Sequence, residues 1–440
     1  KMGFTIDLLG EAVITEGEAE SYLQSYLDLI TELGTRAQKW ATVPEIDIAD
    51  GENLPKVQVS VKLTAFYSQF DPVDPEGGKI KVCDRIRTLL RHAQAYGAAV
   101  HFDMEQYNYK DVTIAILQEL LMEDEFRSRT DIGVTIQGYL RDSENDLRKW
   151  IDWAKRRGNP ITVRLVKGAY WDQETIKSRQ NHWAQPVFNQ KAETDINYEN
   201  LTRLLLENHP YLYAAIASHN VRTQANAIAI AESLGIPKRR FECQILYGMG
   251  ESLAKAIVKK GYRVRVYAPY GKLLPGMAYL IRRLLENTAN SSFLRQNSEE
   301  KPITELIAPP QVVVESPVEE KTPPTPLNKG GDDIAVITKD KDFNPAPDTD
   351  YGREENLSKA RQALTKVHNQ LGKTYLPLIN GEYVETESYI DSVNPSHPSE
   401  VVGKIGLISL SQADEAMESA SLAFKTWSKT PVKERANILR

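Results

Sequence analysis

Eight short runs of apolar or β-branched residues recur along the first two thirds of the chain. Each closes in polar residues or glycine, and each is followed by enough sequence for a helix. They span Phe4 to Leu9, Val57 to Leu63, Ala98 to Met104 and Ile132 to Gln137, then Ile161 to Val166, Tyr213 to Ser218, Phe241 to Leu246 and Arg263 to Ala268. Between them lie amphipathic stretches such as Val82-x3-Ile86-x2-Leu89-Leu90-x2-Ala93, where apolar residues return at helical spacing and mark one buried face. Eight strand-helix units over about 290 residues predict an α/β fold of the (β/α)8 barrel type. An open doubly wound sheet shows the same alternation and stays open at this point.

The pattern changes after Phe293. Nine of the 23 prolines fall between Pro302 and Pro347, interleaved with charged and small residues, so 297–355 reads as an exposed linker without regular structure. A helical pattern returns at Asn356, Asn380-Gly381 between β-forming runs signals a tight hairpin, and Ser411 to Trp427 reads as another helix. The expected division is a barrel over 1–296, a linker over 297–355 and a partial α/β segment over 356–440. Both ends read as cuts in a longer chain, and Lys1-Met2-Gly3 leads straight into the first run without a signal-peptide pattern.

Composition narrows the class. With 41% hydrophobic and 26% charged residues the chain is an ordinary globular one, and no run of about 18 apolar residues predicts a membrane span. A net charge of -6 leaves no basic footprint for nucleic acid. Cys83 and Cys243 form neither a disulfide framework nor a zinc spacing, which fits a reducing, cytoplasmic setting.

In a parallel barrel, reactive groups gather at the carboxyl ends of the strands, and the polar residues here follow that rule. Lys62 closes the second run, His101, Asp103 and Glu105 the third, and Gln137 the fourth. Arg164, Lys167 and Gly168 close the fifth, His219 and Asn220 the sixth, and Tyr267 the eighth. Arg164 stands among Val, Leu and Val, where an arginine is costly unless paired. It either satisfies a core carboxylate such as Asp103 or faces an electron-rich cofactor. Gly168-Ala169 permits close backbone approach to a ligand. Arg282 and Arg283 lie in a helical run from Gly276 to Asn287, either as a solvated face paired with Glu286 or as a carboxylate clamp. His101-x-Asp103-x-Glu105 with His219 offers a different chemistry, a divalent-metal site of a barrel hydrolase, because a period of two puts three ligand types on one strand face. His101 is equally readable as a satisfied core histidine. A non-catalytic barrel that docks a further domain is the remaining alternative.

The segment Val163-Arg-Leu-Val-Lys-Gly-Ala-Tyr-Trp-Asp172, followed by Tyr279-Leu-Ile-Arg-Arg-Leu-Leu-Glu-Asn287 and Ala289-Asn-Ser-Ser-Phe293, resembles the proline dehydrogenase domain of the bifunctional proline utilization A family. Val59-Ser-Val-Lys-Leu63, Phe241 to Gly250 and Val266-Tyr-Ala-Pro269 fall in the expected order. Ile379-Asn-Gly-Glu382 and Pro395 to Arg440 resemble the beginning of an aldehyde dehydrogenase, whose NAD-binding core and catalytic cysteine would lie past Arg440.

The resemblance implies a distorted (β/α)8 barrel with its last helix over the mouth. It implies FAD-dependent oxidation of L-proline to 1-pyrroline-5-carboxylate, with electrons passing to a quinone at the inner face of a membrane. By the same resemblance Arg282, Arg283 and Lys62 hold the proline carboxylate, while Leu246, Tyr267 and Tyr170 supply the apolar wall. Asp103 and Arg164 form the active-site pair, with Arg164 near the flavin nitrogen that accepts hydride. Met104, Gln137, Val166, Lys167 and Gly168 are expected along the FAD. So are Ala169, Trp171, Ser218, His219 and Glu286. Glu11 is expected to gate the site by pairing with Arg282. The family commonly has Thr-His-Asn where this chain has Ser218-His219-Asn220, and an Arg-Lys pair where it has Gln190-Lys191, which changes the charge expected near the adenosine.

Overall fold

The computed structural model describes residues 1–10, 13–49, 51–272, 276–288, 302, 304, 307–312 and 346–439, with backbone alone at 278 and 284–288. Two compact units divide the chain, Lys1–Glu354 and Glu355–Arg440.

In the first unit, β1 (Gly3–Leu8), β2 (Val57–Val61), β3 (Ala98–Phe102), β4 (Ile132–Gln137), β5 (Ile161–Val166), β6 (Leu212–Ala217), β7 (Glu242–Leu246) and β8 (Arg263–Tyr270) form a closed parallel barrel. Closure is direct, since β1 pairs with β8 through Phe4 opposite Val266 and with β2 through Ile6 opposite Val59. The open-sheet alternative is thereby excluded.

The strands explain why both faces can be buried. In β2, Val57, Val59 and Val61 alternate with Gln58 and Ser60, and every one of them is buried. The valines share one hydrophobic core with Ile30 of α1 (Glu16–Ala37) and Ile86 and Leu89 of α2 (Pro75–Ala95). The polar set faces the axis instead. Thr5 Oγ1 lies 3.1 Å from Ser60 Oγ, and Arg164 of β5 reaches both Ser60 on β2 and Gln244 on β7. A barrel axis is ordinarily filled by branched aliphatics. Here hydrogen bonds and ion pairs fill it, and the apolar burial that drives folding is displaced to the strand-helix layer. Small residues make room on the axis: a Cβ at Gly133 would stand 2.0 Å from His101 Nδ1.

Near the amino-terminal end, Glu242 Oε1 accepts from Arg265 Nε at 2.8 Å, and its Oε2 lies 3.0 Å from Arg263 Nε. Burial alone would raise this carboxyl, but Arg265 and Arg263 outweigh it and hold it at about 2.

Residues before the second unit return to the barrel. Trp183 Nε1 donates to Asp348 O at 2.5 Å, Arg353 Nη2 donates to Ala184 O at 3.2 Å, and Asp350 is buried. The last residues of the proline-rich stretch therefore pack against protein, contrary to the reading of that whole stretch as exposed. In the second unit, α10 (Glu354–His368) precedes β9 (Lys373–Tyr375), and β10 (Leu378–Ile379) turns through Asn380 and Gly381, both at positive φ, into β11 (Glu382–Tyr383). The predicted hairpin is thus present. β12 (Ser388–Asn394) and β13 (His397–Leu407) pair antiparallel, and α11 (Leu410–Trp427) is capped by a reciprocal Ser409–Gln412 box.

Because Glu242 is held below the ordinary glutamate range, its contribution to stability is present above the unfolded pKa and lost as pH falls through the folded one. Between about pH 4.5 and 2 the barrel should lose on the order of 3 kcal/mol from this group. Glu242→Gln should be less stable at pH 7 and lose less on acidification, measured by urea unfolding at several pH values. Equal acid sensitivity in both proteins would contradict the assignment.

Candidate active site

At the carboxyl ends of the strands lies a cavity of about 230 Å³, with Tyr279, Arg282 and Arg283 of α9 (Met277–Thr288) lining it together with the strand ends. The last barrel helix thus contributes its two adjacent arginines to the mouth.

Asp103, just past β3, organises the interior of this cavity. Its Oδ1 accepts from Arg164 Nη1 at 2.5 Å and its Oδ2 from the Tyr267 hydroxyl at 2.7 Å. Lys62 Nζ stands 3.9 Å from Oδ2 but donates to Asp7 Oδ1 at 2.8 Å. Two carboxylates and two cations are therefore interlocked in a buried site, the pairing under which buried charge is tolerated. Burial raises the Asp7 carboxyl against the pull of Lys62. Burial, then Asp103 and Asp7, keep the Tyr267 phenol well above its usual range, so it remains a donor.

Arg164 is held on three sides. Nε donates to Gln244 Oε1 at 2.8 Å, Nη1 also reaches Ser60 Oγ at 3.1 Å, and the guanidinium carbon lies 5.2 Å from the centre of the Tyr267 ring. Its Nη2 is buried with no hydrogen-bond partner among the described residues. Gln137 is the counterpart: Nε2 donates to Glu105 O at 3.0 Å, while Oε1 is buried and also lacks a partner among those residues. Both residues line the cavity. An unmet buried donor or acceptor costs about 1–3 kcal/mol, so the cavity is matched to a ligand that carries both functions.

Met104, Val166, Ala169, Tyr170, Ser218 and Leu246 line the same space. Gly168 adopts φ +127°, and a Cβ there would stand 2.5 Å from the Tyr139 ring, so only glycine fits without displacement. Lys167 pairs with Asp195, which also accepts from Lys191 at 2.7 Å. Burial lowers the Lys167 ammonium in spite of Asp195. His219 Nε2 accepts from the Leu246 amide at 2.9 Å, and burial with Arg283 nearby pushes the imidazole down to about 4. His219 is therefore a neutral ring that fixes the wall residue Leu246. Arg282 lies 5.2 Å over the Tyr170 ring, and Arg283 lies 5.4 Å over that of Tyr279.

One expected residue lies apart from the others. Trp171 stands outside the cavity lining, on the first turn of α5 (Trp171–Gln180), with Nε1 donating to Phe188 O at 2.7 Å. Lys62 is engaged by Asp7, a partner 55 residues away that no local pattern announced. Glu11 and the side chain of Glu286 lie outside the described residues.

The metal-hydrolase alternative is overturned because its four residues do not converge. β3 ends at Phe102, so the alternation that would align His101, Asp103 and Glu105 breaks. His101 Nε2 meets Thr135 Oγ1 at 3.2 Å, Glu105 accepts from Thr64 at 2.6 Å, Asp103 serves Arg164 and Tyr267, and His219 serves Leu246. Burial, then Arg164 and Arg265, hold His101 well below its usual range, as a neutral core histidine.

Asp7, Ser60 and Gln244 were not picked out in sequence. Asp7 carried the same signal as Arg164, a charge within an apolar strand, and Gln244 sits at an inward position of Glu-Cys-Gln-Ile-Leu.

Residues 1–296 match the proline dehydrogenase family. The chain belongs to the proline dehydrogenase family. Residues 383–440 match the aldehyde dehydrogenase family. The proline dehydrogenase barrel and the segment after it resemble the bifunctional protein PutA of Escherichia coli, 28% identical over 99% of this chain and 32% of that protein. Proline dehydrogenase 1 of Bacillus subtilis is 29% identical over 66% of this chain and 80% of its own length. The crystal structure of proline utilization A from Bdellovibrio bacteriovorus, inactivated by N-propargylglycine, superposes with a TM-score of 0.87 at 42% identity, covering 99% of this chain and 44% of that one. The chain thus spans about a third of the length of the bifunctional relatives it matches.

Gly168→Ala should leave the chain folded but destabilised by about 1–3 kcal/mol, because the added Cβ must displace the Tyr139 ring at a backbone conformation that favours glycine. Thermal melting reads the loss. A melting temperature equal to that of the parent protein would contradict the need for glycine at this turn.

Proposed function

We propose that this barrel oxidises L-proline to 1-pyrroline-5-carboxylate with FAD as cofactor. The observation that carries the reading is the convergence of Arg282 and Arg283 with the Asp103–Arg164–Tyr267 network on one cavity that also holds an unmet donor and an unmet acceptor. A flavin ring presents carbonyl and ring-nitrogen acceptors beside an N–H donor, so the residues present fit it. Arg164 Nη2, Gln137 Oε1 and the Gly168-Ala169 backbone would hold it, with Lys167 and His219 alongside. When bound, FAD supplies the hydride acceptor.

The chain's own residues supply binding, orientation and field. Proline is a small ring bearing a carboxylate, and Arg282 and Arg283 offer planar paired donors for that charge. Leu246, Tyr267 and Tyr170 give the ring an apolar wall that excludes water. Oxidation takes a hydride from the ring carbon beside nitrogen and releases a proton from that nitrogen to solvent, leaving a C=N bond, so the clamp must fix that carbon at one distance and angle. Cationic Arg164 and Lys167 make the cavity more positive and favour negative charge gathering there. Asp103 keeps Arg164 aimed by accepting from its Nη1, without itself being consumed.

The division into a barrel over 1–296, a linker over 297–355 and the start of an aldehyde dehydrogenase over 356–440 belongs to the same proposal, as do a quinone acceptor at the inner membrane face and an NAD-dependent partner domain past Arg440. The family matches to residues 1–296 and 383–440 support the domain order, and the remainder rests on the family resemblance. Among the described residues no helix is long and apolar enough to cross a membrane.

Purified protein reconstituted with FAD should be yellow and bleach on anaerobic addition of L-proline. Arg282→Met and Arg283→Met should each raise KM for proline about 10–100-fold, the loss of one charge-assisted contact, with a smaller change in kcat. Flavin that stays oxidised under excess proline would refute the reading.

A further inference from the structure

Arg164 can act on a ligand only if its guanidinium plane is fixed, and the contact that fixes its Nε comes from beneath the site. Gln244 Oε1 accepts from that Nε at 2.8 Å, while its Nε2 donates to Glu242 Oε1 at 2.6 Å. Glu242 is in turn clamped by Arg265, whose Nη1 also donates to the backbone of Phe4 at 2.8 Å, and by Arg263. All five of these side chains are buried. The polarity of the amide is imposed: a guanidinium can only donate and an ionised carboxylate can only accept, so no other orientation of Gln244 satisfies both.

We propose that Gln244 is a positioning residue for proline oxidation. It transmits the rigid Glu242–Arg265 base to Arg164 and holds the guanidinium with its unpartnered Nη2 turned into the cavity. Asp103 and Ser60 hold Nη1 and the Tyr267 ring lies 5.2 Å from the guanidinium carbon, contacts that do not fix the Nε edge of the plane. The Nε bond to Gln244 fixes that edge. The inference rests on the flavin-dependent reading of the site, so its test separates the two.

Two variants of the 440-residue chain distinguish positioning from packing. Gln244→Leu keeps the size and removes the acceptor. Gln244→Glu as the neutral acid restores the polarity of the amide, with its carbonyl accepting from Arg164 and its O–H donating to Glu242, but as the anion it places two carboxylates together. The charged and titratable groups around this position are Arg164 on β5, Glu242 on its own strand, Arg263 and Arg265 on β8, and His101 and Asp103 on or just past β3.

In flavin-free protein, ¹⁵N-arginine NMR should show the Arg164 Nε–H resonance shifted and exchanging at least tenfold faster in Gln244→Leu. In reconstituted protein the same variant should lose at least tenfold in kcat with KM for proline within about threefold. Its flavin potential should be lower by about 30 mV, tenfold for a two-electron couple. Gln244→Glu should match the parent at low pH and fall progressively below it as pH rises. An unchanged Nε–H signal in Gln244→Leu, or a Gln244→Glu profile parallel to the parent, would overturn the proposal. Failure of the unmutated protein to bleach with proline would instead count against the flavin reading, and the NMR arm would still decide the role of Gln244.

Discussion

The bond between Asp103 and Arg164 is the constraint on which the rest of the site depends. A guanidinium on the axis of a barrel is costly without a counter-charge, and a carboxylate at that depth is equally costly without a cation. Each makes the other possible, and Tyr267 and Lys62 complete the set at 2.7 and 3.9 Å. Because both carboxylate oxygens of Asp103 are engaged, Arg164 has few positions open to it. A cation held in one place is therefore a consequence of packing charges rather than aliphatics along the axis.

That choice shapes the fold as well. With polar residues filling the interior, apolar burial is carried by the outer faces of the strands, Phe102 among them, by the helix that bears Trp150, and by connecting residues such as Phe126. Buried ion pairs add little net stability compared with well-packed aliphatics, and their value lies in fixing geometry. The Glu242–Arg265–Arg263 cluster near the other end of the barrel shows the same principle applied away from the chemistry.

Much of this was legible in sequence, for specific reasons. The eight strands were, because both of their faces are buried and the runs are β-branched and bounded by turn residues; so was the hairpin at Asn380-Gly381, where positive φ is demanded. Arg164 stood out as a charge in an apolar run. Asp7 bore the same mark, but its meaning came only from Lys62, 55 residues away. The metal reading failed because alternation was carried past Phe102, where β3 ends and the chain no longer alternates its faces. Register between distant strands, which decides that Gln244 meets Arg164, leaves no trace in local periodicity.

The most direct test of the account is Asp103→Asn, which keeps the shape and deletes the counter-charge. Stopped-flow measurement of flavin bleaching by proline should show kcat/KM reduced at least about 100-fold, from an uncompensated buried arginine, in protein that remains folded and yellow. Bleaching within threefold of the unmutated rate would mean that Arg164 does not need Asp103, and the account would fail at its centre.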